Sequence, residues 1–169
     1  QTKSYLKNPQ PVSDNLLYGE FHENSKHTTR MPYMKPVYDV LEKNRGKVIY
    51  FDFWARWCPP CLAEMEPLKQ LRSKFSTDDL IIYSICVSEP KEQWEECLNE
   101  YSLKNRGIEC VHVTDYLGIN NYQKIRKQWK IDRMPYYVLI NRKGQIIDFG
   151  TAARPSNPQL VSRIEEAVK

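Results

Sequence analysis

A run of eight residues, Val48 to Ala55, holds seven apolar side chains and one charge, Asp52, and leads into Arg56-Trp57-Cys58-Pro59-Pro60-Cys61. Its β-branched and aromatic content suits a central strand buried on both faces. Adjacent prolines fit the first turn of a helix, where no N–H is needed. The segment therefore reads as a strand-to-helix junction with two cysteines one turn apart. A Cys at a helix start meets unpartnered backbone N–H groups and the positive end of the dipole. Both favour the thiolate, the reactive form of the side chain. Half of a zinc site is a poor alternative, because zinc takes four ligands and no His follows at finger spacing. Haem attachment needs His directly after the second Cys, and residue 62 is Leu. A redox-active dithiol leads these readings, with a purely structural disulfide as the alternative.

The rest of the chain alternates strands and helices. Pro36 to Leu41 opens a helix that stops near Gly46. Helical spacing recurs over Cys58 to Phe75, with Leu68, Leu71 and Phe75 on one stripe. It recurs from Pro90, with Trp94, Cys97, Leu98 and Tyr101, and over Asn120 to Lys130. Leu80 to Val87 and Ile108 to Thr114 read as strands. Tyr136 to Asn141 and Gln145 to Phe149 flank a hairpin turn at Arg142-Lys143-Gly144. Asn157 is a candidate N-cap for a last helix carrying Leu160, Ile164, Ala167 and Val168 inward. The expected fold is α/β, with a mixed, mostly parallel sheet covered by helices on both faces.

Residues 1 to 34 are rich in Asn, Lys, Thr, Ser and Pro and lack apolar periodicity. They read as an extension, either a linker or a short hairpin on the edge of a domain spanning 35 to 169. Hydrophobic residues at 41% and charged residues at 27% exclude a disordered or fibrous chain. The longest apolar runs are far short of the roughly 20 residues a transmembrane helix needs. Neither a membrane span nor a signal peptide is expected within the sequence, and Gln1 suggests a processed or trimmed piece. The net charge of +4 says little about partners. Lys124, Arg126, Lys127, Lys130 and Arg133 read as a solvated face, with no nucleic-acid recognition motif beside them. Cys86, Cys97 and Cys110 read as core, with a Cys97–Cys110 bridge or second relay as the alternative. His22, His27 and His112 are isolated, and no metal site is expected.

Phe53-Trp54-Ala55 followed by Trp57-Cys58-Pro59-Pro60-Cys61 resembles the active-site stretch of the thioredoxin superfamily. Glu64 and Met65 resemble its TlpA/ResA-like branch of bacterial thiol–disulfide oxidoreductases. Met134-Pro135 precedes a strand where that family carries its cis-proline. Leu139-Ile140-Asn141, Gly144 and Ile146 resemble its closing hairpin, and residues 91 to 114 fall where the branch has its helix–strand insertion. The resemblance covers residues 35 to 169. Two departures stand out. The family's helix-kinking proline falls one residue late, with Glu66 at its position and Pro67 after it, so a shifted kink is expected. Asp52 stands where many branch members have a neutral residue.

The resemblance implies Cys58 as the attacking and Cys61 as the resolving thiol, and a cis Met134–Pro135 bond that exposes Met134 backbone to an extended substrate. Trp57, Pro59 and Pro60 would line the substrate surface, with Trp57 as an apolar platform beside Cys58. Asp52 is a buried charge with no Lys on the neighbouring strand, so its pKa is expected to rise. A carboxyl of that kind can move protons. Glu64 lies three residues after Cys61 on the same face and is either a second proton-handling group or a solvated helix residue. Pro59 and Pro60 offer Cys58 neither an N–H nor a charge. Thiolate stabilisation should then be moderate and the pair a reductant. The expectation is disulfide exchange with protein substrates, needing no cofactor and recharged by an upstream membrane or soluble thiol donor. The resemblance places it in the periplasm or cell envelope. An oxidase or isomerase, or a non-catalytic peptide- or metal-binding module, is the alternative.

Overall fold

The computed structural model describes residues 10–11, 40–87, 90–112, 123, 126, 131 and 133–169. Six strands form one sheet: β1 (Gln10–Pro11), β2 (Val48–Trp54), β3 (Leu80–Cys86), β4 (Ile108–His112), β5 (Tyr136–Ile140) and β6 (Gln145–Gly150). Their order is β1-β6-β5-β2-β3-β4. Four helices lie wholly within the described residues, α1 (Pro59–Ala63), α2 (Met65–Lys74), α3 (Lys91–Glu100) and α4 (Pro158–Val168), and residues 40–43 are also helical.

β2 is the middle of the molecule. All seven of its residues are buried. It pairs in parallel with β3 from Val48↔Leu80 to Trp54↔Cys86 and antiparallel with β5. Side chains alternate between faces along a strand, and the core divides accordingly. Val48 and Tyr50 pack with Leu68 and Leu71 of α2 and Leu160 and Ile164 of α4. Ile49, Phe51 and Phe53 pack with Trp94, Cys97 and Leu98 of α3. Asp52 shares the parity of Val48 and Tyr50 and so belongs to the α2/α4 face.

The α/β architecture with helices on both faces matches the expectation, with one adjustment. Two ladders are parallel and three antiparallel, so the parallel part is confined to β2-β3-β4. A closing hairpin and a two-residue edge add only antiparallel pairings.

The helix expected over Cys58 to Phe75 is two helices, broken at Glu64, which ends α1 and precedes α2. Pro67 explains the break. It has no N–H to give to the Ala63 carbonyl, and its ring excludes that carbonyl from the usual position. The α4 cap is as expected: Asn157 Oδ1 accepts from Gln159 N at 3.0 Å, with Pro158 in the first turn. In the β5–β6 turn, Gly144 takes φ +74°. Asn141 Oδ1 accepts from the backbone N–H groups of both Lys143 and Gln145 there.

Thr114, most of Asn120 to Lys130, the basic cluster apart from Arg126 and Arg133, and the proposed boundary at residue 34 lie outside the described residues. Gln10 and Pro11 pair with Ile146 and Gln145 on the edge of β6. No helix among the described residues is long and apolar enough to cross a membrane.

Candidate redox site

β2 delivers the chain to the site. After Trp54, whose carbonyl accepts from Val87 N, a tight turn is closed by Cys58 N donating to Ala55 O at 3.2 Å. Cys58 is extended and caps α1, with Pro59 at its first position. Its Sγ accepts from Cys61 N at 3.3 Å. Cys58 and Cys61 are joined as a disulfide, their Cα atoms 5.3 Å apart. Cys61 is 1% exposed and Cys58 4%. Around them Trp57, Pro59 and Pro60 face solvent. Trp57 is 65% exposed, the largest such apolar surface among the described residues. It is therefore a rim residue and not core.

The Met134–Pro135 peptide bond is cis. The β2–β5 register sets Phe53 beside Tyr136. Pro135 is thus brought to the end of β2 that feeds the cysteine turn. Pro135 is buried and Met134 half-buried. Met134 packs on the apolar cluster that holds Cys58 and Cys61. Five sequence-predicted positions, Cys58, Cys61, Trp57, Met134 and Pro135, thus gather at one end of the sheet.

The two carboxylates sit differently. Asp52 is 3% exposed, and Ser84 Oγ donates to its Oδ2 at 3.4 Å. Burial pushes its carboxyl up to about 8; the Ser84 hydrogen bond opposes the rise and the charge of Glu64 adds to it. The expected rise is present, and in place of a Lys the neighbouring strand offers a hydroxyl. Glu64 is not a free helix residue. Its carboxylate oxygens accept from Ser156 N at 2.9 Å and Ser156 Oγ at 2.7 Å. It ties the α1–α2 junction to the loop before α4.

Ser84 and Ser156 escaped the sequence reading. Ser84 had a readable signal. If Val48–Ala55 and Leu80–Val87 are laid side by side in parallel, the fifth residue of each is polar, and these are Asp52 and Ser84. Ser156 had none, since its partner lies 92 residues away in sequence. The remaining cysteines, Cys86, Cys97 and Cys110, take part in no disulfide. Burial raises the Cys97 and Cys110 thiols to about 11, so neither forms a thiolate readily. The expected core role holds for Cys86 and Cys97, which are buried; Cys110 is half-buried.

A central strand running into a Cys-X-X-Cys helix start, with a cis-proline entering the adjacent strand, defines a thioredoxin-fold redox protein. The chain belongs to the Redoxin family, whose model matches residues 35–168. Its relatives include the thiol-disulfide oxidoreductase ResA of Halalkalibacterium halodurans, 25% identical over 76% of this chain and 66% of the relative. ResA of Bacillus thuringiensis is 25% identical over 64% of this chain and 57% of the relative. The chain thus spans between about half and two thirds of the length of these relatives. Among solved structures, a candidate thiol-disulfide oxidoreductase from Bacteroides vulgatus matches with TM-score 0.59 and 32% identity, over 75% of this chain and 76% of that one.

Proposed function

We propose that the chain is a protein thiol–disulfide oxidoreductase of the TlpA/ResA-like type that works as a reductant outside the cytoplasmic membrane. The reading rests on one observation above others. The Cys58–Cys61 disulfide caps a helix at the end of the central strand, under an exposed apolar rim. The ResA relatives and the Bacteroides vulgatus structure support the activity, and the envelope location is carried over from the resemblance. Residues 35 to 169 form the thioredoxin-like domain in this reading, and residues 1 to 34 its extension.

In the reducing direction, the Cys58 thiolate attacks one sulfur of a substrate disulfide. That S–S bond breaks, the first substrate thiolate leaves and takes a proton, and a mixed disulfide remains. Cys61 gives its proton to the ionised form of Asp52, whose proton affinity the nearby Glu64 charge raises. The Cys61 thiolate then attacks Cys58 Sγ. The second substrate thiolate leaves, and the protein is left oxidised. Two electrons have passed to the substrate, and a thiol donor must return them. No organic cofactor or metal takes part in these steps. Trp57, Pro59 and Pro60 supply the apolar surface on which the substrate rests. Met134 backbone, set by Pro135, supplies pairing for its extended segment.

Cys61→Ser is expected to accumulate a mixed disulfide between Cys58 and a substrate protein, seen on non-reducing gels and dispersed by thiol. Cys58→Ser should accumulate none. Unchanged partner binding with no covalent adduct in Cys61→Ser would favour a binding module instead. The direction is tested by the reduction potential in defined thiol–disulfide buffers. Because neither proline donates to Cys58 Sγ, a value of about −250 mV or lower is expected. A value near −150 mV would make the protein an oxidant or isomerase.

A further inference from the structure

Each carboxylate near the cysteine pair is held by a serine from a different element, and the two serines hold them in opposite electrostatic senses. Ser84 of β3 lies beside Asp52 in the parallel ladder and donates its hydroxyl to Oδ2. A donor to a carboxylate oxygen favours the ionised form. Ser156 donates both its N–H and its hydroxyl to Glu64. It therefore fixes where the Glu64 charge sits, and a negative charge close to a buried carboxyl favours its protonated form.

From this geometry we infer that Ser84 and Ser156 are positioning residues that set the proton affinity of Asp52 from opposite sides. Ser84 stabilises its anion, and Ser156 keeps the Glu64 charge where it disfavours that anion. The inference deepens the proposed role of Asp52 in deprotonating Cys61 and rests on that reading for its catalytic meaning.

The other charged and titratable groups around Asp52 do not duplicate these roles. On β2, Tyr50 gives its hydroxyl proton to Ala153 O at 2.6 Å. Tyr137, paired with Asp52 across β5, stacks on Tyr50 with ring centres 5.6 Å apart. Burial drives both phenols well above their ordinary pKa, so both are neutral through the working range. Cys110 of β4 is in register with Ser84, feels the Asp52 charge, and is a thiol up to about 11. Asp148 of β6 is paired with Arg163 of α4 at 2.5 Å. Arg154, in the loop before α4, acts on Tyr137. Glu64 is the charged group whose effect on Asp52 joins burial in raising it.

The test is a carbon-13 NMR titration of the Asp52 carboxyl in the oxidised protein, where Cys58 and Cys61 do not titrate. The Asp52→Asn variant assigns the signal. Ser84→Ala should raise the Asp52 midpoint, by about half a unit to one unit on the scale of a lost hydrogen bond to a charged group. Ser156→Ala, which removes the hydroxyl bond and leaves Glu64 held by the backbone N–H alone, should loosen that carboxylate and lower the Asp52 midpoint by up to roughly half a unit. Ser156→Thr keeps the hydroxyl and should restore the wild-type midpoint. A purely structural role for either serine would change unfolding without moving the midpoint. Shifts of the same sign, or none from either variant, overturn the inference. The proposed role of Asp52 fails separately: if Asp52→Asn resolves mixed disulfides at the wild-type rate, that reading is wrong whatever the midpoints do.

Discussion

Asp52→Asn is expected to give a protein that is more stable at neutral pH and slower in disulfide exchange. The stability half follows from proton linkage. Burial raises the carboxyl from 3.8 to about 8 in the folded chain. In the unfolded chain it titrates near its ordinary value. Between those two values the folded state holds a proton that the unfolded state has released. The slope of unfolding free energy with pH is then negative for this group. Its contribution is fully present below about pH 4 and is lost as pH rises through about 8. Asn does not titrate. The variant should match the wild type near pH 4 and exceed it at pH 7 by on the order of 4 kcal/mol, from about three units at 1.36 kcal/mol each. Above pH 8 the gap should stop growing. Urea unfolding of the two oxidised proteins at pH 4, 7 and 8.5 measures it. A gap independent of pH would show that Asp52 titrates alike in both states.

The kinetic half has the opposite sign. Asn cannot accept the Cys61 proton. Loss of a positioned base slows such a step by roughly a hundredfold or more. Single-turnover release of reduced substrate from the mixed disulfide, followed at pH 8, where about half of Asp52 is ionised and able to accept a proton, should show that deficit. The deficit should shrink at alkaline pH, where Cys61 ionises without help. A residue that lowers stability at the working pH and raises the rate is one that stability alone would not place in a core strand.

Much of this was readable from the chain. The Val48–Ala55 and Leu80–Val87 runs gave the two central strands because burial on both faces demands unbroken apolar composition. The cysteine turn followed because two adjacent prolines fit the first turn of a helix and not its interior. Asp52 declared itself as a lone charge in an apolar run. Three things were less accessible. The break at Glu64 depends on which carbonyl Pro67 excludes, and that moved the end of α1 four residues ahead of the proline. The Ser84–Asp52 pair needs the strand register, which single strands do not carry. The Ser156–Glu64 clasp joins a helix junction to a loop 92 residues later, and only the tertiary fold brings them together.

Arg72 belongs with those tertiary contacts, and removing it should have the second large effect. It lies in the last turn of α2, 5% exposed. Its Nη1 donates to Leu80 O at 2.6 Å and reaches Gly107 O at 3.4 Å, and its Nη2 donates to Phe75 O at 2.9 Å. One guanidinium thus ties the end of α2 to the start of β3 and to the turn before β4. The planar fork suits three carbonyls that diverge, which a single ammonium cannot match. A hydrogen bond to a charged group contributes about 1.5–3 kcal/mol, and a carbonyl left buried without a donor costs about as much. Arg72→Ala should therefore destabilise by about 3–5 kcal/mol, and Arg72→Lys by roughly half of that. Urea midpoints at pH 7, with an unchanged denaturant slope, separate this loss from a change in the unfolded state. The loss bears on function because α2 continues from α1, the helix that carries Cys61 and ends at Glu64. If α2 is anchored to the sheet chiefly through Arg72, then Arg72→Ala should also loosen the cysteine turn, seen as faster amide hydrogen exchange at Cys61 and Leu62. An Arg72→Ala protein within about 1 kcal/mol of the wild type, with exchange at those amides unchanged, would mean that apolar packing of Leu68 and Leu71 alone holds the helix in place.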